Sequence, residues 1–134
     1  MGLDMYLWKS EKTGLGHGQH PTASYNNSER VAYWRKANAV HSWFVGHAQD
    51  GEDECRPYIV QREQLVELLE ICEAIQENPD AAPYLLPTQD GFFFGSTEYD
   101  EMYAEDIDLT INQCREILQT FDFYSFDLVY RASW

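Results

Sequence analysis

Hydrophobic and polar residues alternate at the beginning and at the end of this chain. Residues 2–8 place Leu3, Met5 and Leu7 on one side, and residues 124–134 alternate in the same way. A two-residue period predicts a β-strand with one buried face. We therefore expect a strand at each end of the chain, and the two can pair in one sheet.

The segments between these strands carry the longer period of helices, in which apolar residues recur three or four positions apart. Their first and last residues are marked by Ser, Asn, Gly and Pro, which favour helix ends. Three helices are predicted, at about 29–45, 62–77 and 100–120, with a short strand near 58–60. Residues 10–28 are rich in Gly and Asn and predict a long flexible loop.

A second loop is expected over residues 85–96. Its Asp90-Gly91 pair lies between apolar runs, which is typical of a tight hairpin turn. Together these elements predict a single globular domain over 1–134 of the α+β class. In this sandwich, an antiparallel or mixed sheet that includes both terminal strands is covered by three helices.

Charge excludes several functions. The chain has 23 acidic and 9 basic residues, which gives a formal charge of -14. Broad binding to a nucleic-acid backbone needs many cations, and an anionic membrane surface repels such a protein. No signal peptide or membrane span is indicated, so we expect a cytoplasmic protein without direct nucleic-acid or membrane partners.

The most unusual stretch lies in the predicted first helix, where Trp34, Asn38 and His41 fall on one side, with Arg35 at the margin. Polar groups on a mostly apolar helix must be satisfied, either by the fold itself or by a ligand. Aromatic walls with a few convergent polar groups are typical of small-ligand pockets. The candidate binding residues are Trp34, Arg35, Lys36, Asn38, His41, Ser96 and Tyr99.

Other patterns are weaker. Six carboxylates between Glu98 and Asp108 favour a solvated helix start, and they would be the densest part of a surface that mimics nucleic acid. A general-base pair of His41 with Asp100 is conceivable, although no spacing requires it. The three cysteines indicate core residues, and no metal or cofactor motif is present.

Three strings, MGLDMYL, YWRKANAVHSWFV and LLPTQDGFFFGSTEYDE, resemble a family of small acidic proteins encoded by bacteriophages and prophages. The resemblance carries no catalytic residues. It implies a phage accessory protein that acts in the bacterial cytoplasm. Such proteins often inhibit host defence by blocking an effector, mimicking nucleic acid or sequestering a nucleotide signal.

Three functions follow as hypotheses. The first is a non-enzymatic binder of a small anionic, nucleotide-type ligand that counters host defence. The second is an acidic interaction protein or nucleic-acid mimic that occupies a basic surface of a host protein. The third, a small enzyme acting on a phosphorylated metabolite, is disfavoured because no nucleophile or metal set is visible. A homodimer is left open.

Overall fold

The structure is a computed structural model, and it describes residues 2–12, 28–53, 55–91 and 95–134. These residues form an antiparallel sheet of four strands in the order β2-β1-β4-β3. The strands are β1 (Asp4–Glu11), β2 (Glu29–Arg35), β3 (Tyr58–Val60) and β4 (Phe126–Ser133). The first and last strands pair along their whole length, which confirms the α+β class and the shared sheet.

The helices pack against one face of this sheet. They are α1 (Asn38–His47), α2 (Arg62–Glu77), the four-residue α3 (Ala82–Leu85) and α4 (Glu101–Thr120). One continuous core joins them to the inward side chains of the strands, among them Leu7, Trp34 and Tyr130. A short 3-10 turn, Pro79–Ala81, leads from α2 into α3. Neither this turn nor α3 was predicted from the sequence.

Two helices confirm their sequence patterns. The bounds of α2 are those predicted, and Leu65, Leu68, Cys72 and Ile75 of its stripe are buried. The third predicted helix is α4, for which Asp100 is the N-cap: its carboxylate accepts a hydrogen bond from the Tyr103 backbone N–H at 3.1 Å. Both helices have a continuous apolar stripe that a single neighbouring layer can bury, so local periodicity suffices to predict them.

The predicted helix over 29–45 is wrong in its first half. Residues Glu29–Arg35 form the edge strand β2, which pairs with β1, and the helix begins only at Asn38. Branched and aromatic residues such as Val31 and Tyr33 favour a strand when a partner strand is available. Lys36 then adopts a φ of 56°, in the left-handed region, and turns the chain from strand to helix. Trp34 and Arg35 therefore do not share a helix with His41.

The predicted loops are described only in part. Ser10 and Glu11 belong to β1 rather than to the loop, and residues 13–27 lie outside the described residues. In the second loop, the described residues 87–91 and 95–99 form no strand, and residues 92–94 of the predicted hairpin also lie outside the description. Cys72 and Cys114 are buried and Cys55 is partly buried, and all three are free thiols.

Candidate functional site

Four of the seven predicted binding residues line one cleft. Arg35, Lys36, Asn38 and Ser96 lie where the turn between β2 and α1 approaches the start of α4, and the cleft has a volume of about 90 Å³. The other three predicted residues, Trp34, His41 and Tyr99, do not line it. Ligand binding by these residues stays a prediction. The structure separates them among the cleft, the buried core, which holds Trp34 and His41, and a groove beside Tyr99.

The cleft is built on an unusual backbone turn. The Lys36 N–H donates to the Leu3 carbonyl at 2.8 Å, and the Lys36 carbonyl accepts from the Asn38 N–H at 3.0 Å. Gly95 packs directly against this turn with a φ of 83°, and a Cβ on it would lie 3.2 Å from the Lys36 Cβ. Glycine is needed here both for its backbone angle and for the close approach.

Asn38 joins the turn to the loop that precedes α4. Its side-chain Nδ2 donates to the Ser96 carbonyl at 2.7 Å, and its Oδ1 accepts from the Gln89 N–H at 2.9 Å. The Thr88 hydroxyl closes the same loop by donating to the Thr97 carbonyl. Asn38 therefore positions the loop, and its amide is satisfied by the fold in the way that buried polar groups usually are.

Charges in the cleft are mostly negative. Arg35 and Lys36 line it together with four carboxylates from the α4 side, which are Glu98, Asp100, Glu105 and Asp106. Arg35 also lies 3.6 Å from the Asp4 carboxylate, which neutralises part of its charge. Burial, followed by the nearby negative charges of Glu105 and Asp100, raises the pKa of Asp106 to about 6. Such a cleft favours a cationic group over the anionic ligand that the sequence predicted.

Trp34 is fully buried between the sheet and the helices. Its indole N–H donates to the Thr110 hydroxyl at 2.9 Å, and that hydroxyl donates to the Asp106 carbonyl at 2.6 Å. The ring also meets Phe44 edge-on at 5.9 Å between centroids. Trp34 is thus a core residue whose polar atom is satisfied internally, and it has no surface left for stacking a ligand ring.

His41 is also fully buried, and it connects two elements. Its Nε2 lies 2.8 Å from the Asp53 carboxylate and its Nδ1 lies 2.6 Å from the Tyr130 hydroxyl. Because the carboxylate can only accept, Nε2 carries the proton, and Nδ1 accepts from the tyrosine. Burial lowers the pKa of His41 despite the opposing effect of Asp53, so the ring is neutral.

This His41 network is extended by the terminal Trp134, whose indole N–H donates to Asp53 at 3.2 Å. The partner of His41 is therefore Asp53 and not Asp100, which caps α4. Burial raises the pKa of the Tyr130 hydroxyl well above its ordinary value, which keeps it protonated as a donor. Since Tyr130 is fully buried, no substrate reaches this hydroxyl, and the arrangement fits a structural network better than a catalytic one.

Tyr99 lies on the other side of α4, beside a groove of about 250 Å³. Its hydroxyl accepts from the Thr88 N–H at 3.1 Å, and its ring meets Tyr103 edge-on at 5.0 Å. The walls of the groove are mainly apolar and come from α4, the end of α2 and the turn into α3: Ile75, Gln76, Pro79, Ala82, Tyr99, Asp100, Tyr103, Ala104, Ile107 and Asp108. The groove and the cleft share the first turns of α4.

Large apolar side chains are exposed around the same helix start. Met102 is 63% exposed beside the cleft, and Tyr84, on the helix that forms one wall of the groove, is 87% exposed. We call this region the acidic apolar surface; it consists of Tyr84, Tyr99 and Met102 with Glu98, Asp100, Glu101, Glu105, Asp106 and Asp108. Among the described residues, none of these six carboxylates forms an ion pair.

The sequence pattern predicted the carboxylates of this surface and Tyr99, but not Met102 and Tyr84. Met102 and Tyr84 lie outside every apolar stripe, and a single apolar residue off the stripe is a usable signal for an exposed contact residue. Asp53 was missed as the partner of His41 because the two meet only through the turn after α1.

The described residues contain no group of three or more His, Cys, Asp and Glu side chains that could hold a metal ion. None of the helices that the structure describes combines the length and the apolar character needed to cross a membrane.

The chain matches no protein-family model, no curated protein and no solved structure.

Proposed function

We propose that this protein is a non-enzymatic interaction protein whose acidic apolar surface binds a basic segment, with large apolar side chains, of a partner protein. The observation that carries this proposal is the coincidence, at the start of α4, of exposed apolar residues and carboxylates that form no ion pair with the described basic residues. Two of these carboxylates do accept hydrogen bonds, Asp100 from the Tyr103 N–H and Asp108 from the Gln76 amide. Either feature alone is common on soluble proteins, whereas the combination selects one kind of partner.

The exposed apolar residues provide the contact area. Met102 and Tyr84 are more than half exposed, so their apolar area is available to a partner. Aromatic residues dominate the binding energy of many protein interfaces because they bury a large area and lose little conformational entropy. Tyr84 and Tyr99 are therefore the expected anchors.

The groove gives this surface a shape. From Asp100 to Asp108 it follows α4 for about 12 Å, or about two helical turns. Tyr103 and Ile107 lie one turn apart at its base, so side chains at a similar spacing on the partner can enter it together. This length fits a short segment of a protein rather than a single small molecule.

Charge selects the partner's sign. Six carboxylates lie between Glu98 and Asp108, in the same segment as Tyr99 and Met102, and the whole chain carries a formal charge of -14. Lys or Arg side chains of the partner would neutralise them, accelerate association and make the affinity depend on salt. Combined with the phage resemblance of the sequence, this makes a bacterial host protein the expected source of the basic segment.

The small-ligand function has less support. The cleft volume of about 90 Å³ is well below the roughly 300 Å³ from which pockets for drug-sized ligands begin. Its four carboxylates oppose the phosphate groups of a nucleotide. An anionic ligand would therefore have to bind elsewhere on the molecule.

A labelled amphipathic peptide of Lys and Leu residues tests the proposal by fluorescence anisotropy. We expect it to bind, and we expect weaker binding for a Lys and Ser peptide of equal charge and none for a Glu and Leu peptide. These three probes separate the contributions of charge and of apolar contact. Binding of the Lys and Leu peptide should weaken as salt is added.

Matched variants locate the binding site. Met102→Asp should weaken binding about ten-fold, whereas Leu109→Asp, also on α4 and 39% exposed, should change it by less than about two-fold. Glu101→Lys with Glu105→Lys should abolish binding, in contrast to the equal charge change Glu63→Lys with Glu70→Lys on α2. If both members of each pair behave alike, the proposal is wrong.

A further inference from the structure

The sheet face opposite the helices has a different character from the acidic apolar surface. In an antiparallel sheet, residues that lie directly opposite each other project from the same face. Tyr6 of β1 lies opposite Tyr33 of β2 and opposite Arg131 of β4. Asp4 and Trp8 of β1 lie opposite Arg35 and Arg30 of β2, so all seven residues share this outer face.

Three aromatic rings lie together on it. The Tyr6 ring centroid is 5.6 Å from that of Trp8 and 5.3 Å from that of Tyr33, and all three side chains are only half-buried. None of the three belongs to the core cluster between sheet and helices. The ring planes of Tyr6 and Trp8 differ by 29° and those of Tyr6 and Tyr33 by 46°. Tyr6 and Trp8 therefore form an aromatic platform of the kind on which planar ligand rings stack, with the tilted Tyr33 at its edge.

Arginines surround the platform. The Arg30 guanidinium lies 5.4 Å from the centre of the Tyr33 ring, and the exposed Arg35 lies 3.6 Å from Asp4. Asp4 also accepts a hydrogen bond from the Tyr33 hydroxyl at 2.6 Å, which links ring and guanidinium. Both arginines are therefore held in place beside the rings, and Arg30 is exposed to solvent.

This concentration of positive charge is local. Three of the nine basic residues of the chain lie on this one face, together with the carboxylates of Asp4 and, at the far end of β1 opposite Ser10, of Asp127, which pairs with Lys12. Exposed ion pairs add little to stability, so packing of the sheet does not explain the arginines. Arginine next to an aromatic platform is suited to bind a phosphate while the platform holds a ring.

We propose that the outer face of β1 and β2 binds a mononucleotide-class anion, with its base stacked on Tyr6 and Trp8 and its phosphate bound by Arg30 and Arg35. One phosphate needs only one or two cations, whereas a nucleic-acid backbone needs many, so the site is compatible with the charge of the whole chain. Arg35 also lines the cleft, whereas Arg30 and the three rings do not, and occupation of the site does not depend on a protein partner.

Isothermal titration calorimetry with three probes tests the site: adenosine monophosphate, ribose 5-phosphate and adenosine. We expect the nucleotide to bind and each half-molecule to bind about ten-fold more weakly or not at all, because stacking and phosphate contact each contribute. If none of the three probes binds to the folded protein, or if all bind equally, the proposal is overturned.

Variants assign the binding to the sheet face. Arg30→Gln and Tyr6→Leu should each weaken nucleotide binding about ten-fold, while Arg115→Gln, an exposed arginine on α4, should leave it unchanged. Arg30 is exposed, so its variant folds even if replacement of Tyr6 disturbs the sheet. Lys36→Gln distinguishes the cleft: if it abolishes binding and Arg30→Gln does not, the assignment to the sheet face is wrong.

Discussion

The His41 network and the acidic apolar surface are both polar regions, yet they have opposite construction. Each ring nitrogen of His41 has a partner, on Asp53 and Tyr130, and the ring is fully buried. At the start of α4, six carboxylates have no ion-pair partner among the described residues, and Met102 remains exposed beside them. The first region is closed by the fold, and the second is open to a partner.

This difference shows that an unusual residue is a weak indicator of function by itself. A histidine on an apolar helix is conspicuous in a sequence, but burial with two hydrogen-bond partners accounts for it. Carboxylates on a helix are inconspicuous in a sequence, but exposed apolar neighbours are typical of an interface.

The largest effect is expected for His41→Ala. It removes a packed ring and leaves the buried Tyr130 hydroxyl without its acceptor, so the free energy of unfolding should fall by about 3 kcal/mol. Thermal unfolding followed by circular dichroism should show a Tm lower by about 10 °C. Tyr124→Ala is the control, because that side chain is 91% exposed and its loss should have little effect. Equal Tm values for the two variants would mean that the network is not structural.

A smaller loss is expected for Gly95→Ala in the wall of the cleft. Its φ of 83° and the 3.2 Å approach to Lys36 should cost about 2 kcal/mol. Gly46→Ala is the matched control, since nothing lies within 4 Å of its Cβ position inside α1 and alanine favours a helix. Urea unfolding should therefore give shifts of opposite sign, and two stabilising changes would show that the wall is not rigid.

For Asp106→Asn we expect the free energy of unfolding to rise at neutral pH. The gain should be only about 1 kcal/mol, because solvent partly screens the carboxylate. Folding raises the pKa of Asp106 from 3.8 to about 6, so the ionised group destabilises the folded state. The gain should shrink as the pH falls through about 6, where the wild-type group takes up its proton. Urea unfolding at several pH values measures it, and a gain that does not change with pH would contradict this account.

The affinity for a basic peptide should also depend on the protonation state of the Asp106 carboxyl group. Asp106 lies near Asp100 and Glu105 at the start of α4, and Arg35, Lys36 and Glu98 line the same cleft. A basic peptide favours the ionised carboxylate, so its affinity should rise as the pH increases through about 6. The Asp106→Asn protein should show a weaker rise in the anisotropy titration.

The smallest effect is the pH dependence of the His41 network. Burial lowers the pKa of His41 below 6.5 in the folded state, so below that pH the unfolded chain binds the proton first. The network's contribution is fully present above 6.5 and is lost as the pH falls toward the folded value. The difference in unfolding free energy between wild type and His41→Gln should therefore shrink on acidification. A constant difference would indicate that His41 is accessible and titrates normally.

Much of the fold could be predicted because its signals are local. The stripe of α2 and the capping Asp100 of α4 involve residues within a few positions of each other, so the chain specifies them before any tertiary contact. The alternation at both ends predicted β1 and β4 for the same reason. The helix predicted over β2 was wrong because residues 29–35 suit either structure, and pairing with β1 decides between them.

The candidate site could be predicted only in fragments. Arg35, Lys36, Asn38 and Ser96 do meet at one cleft, yet Asn38 is engaged in the loop, and the place of four of the predicted carboxylates in the same cleft was not anticipated. Tyr33 was assigned to a helix, and its place at the edge of an aromatic platform depends on the register of β1 and β2. No local pattern encodes which residues of two distant segments lie opposite each other.

By itself, the sequence determined the α+β class, the two long helices, the strands at both ends and the acidic start of α4, because periodicity and charge are properties of neighbouring residues. Only the tertiary structure decided that His41 is closed off by Asp53 and Tyr130, and that Met102 and Tyr84 stay exposed. Burial depends on what packs against a residue from elsewhere in the chain, and the same side chain becomes core or contact surface accordingly.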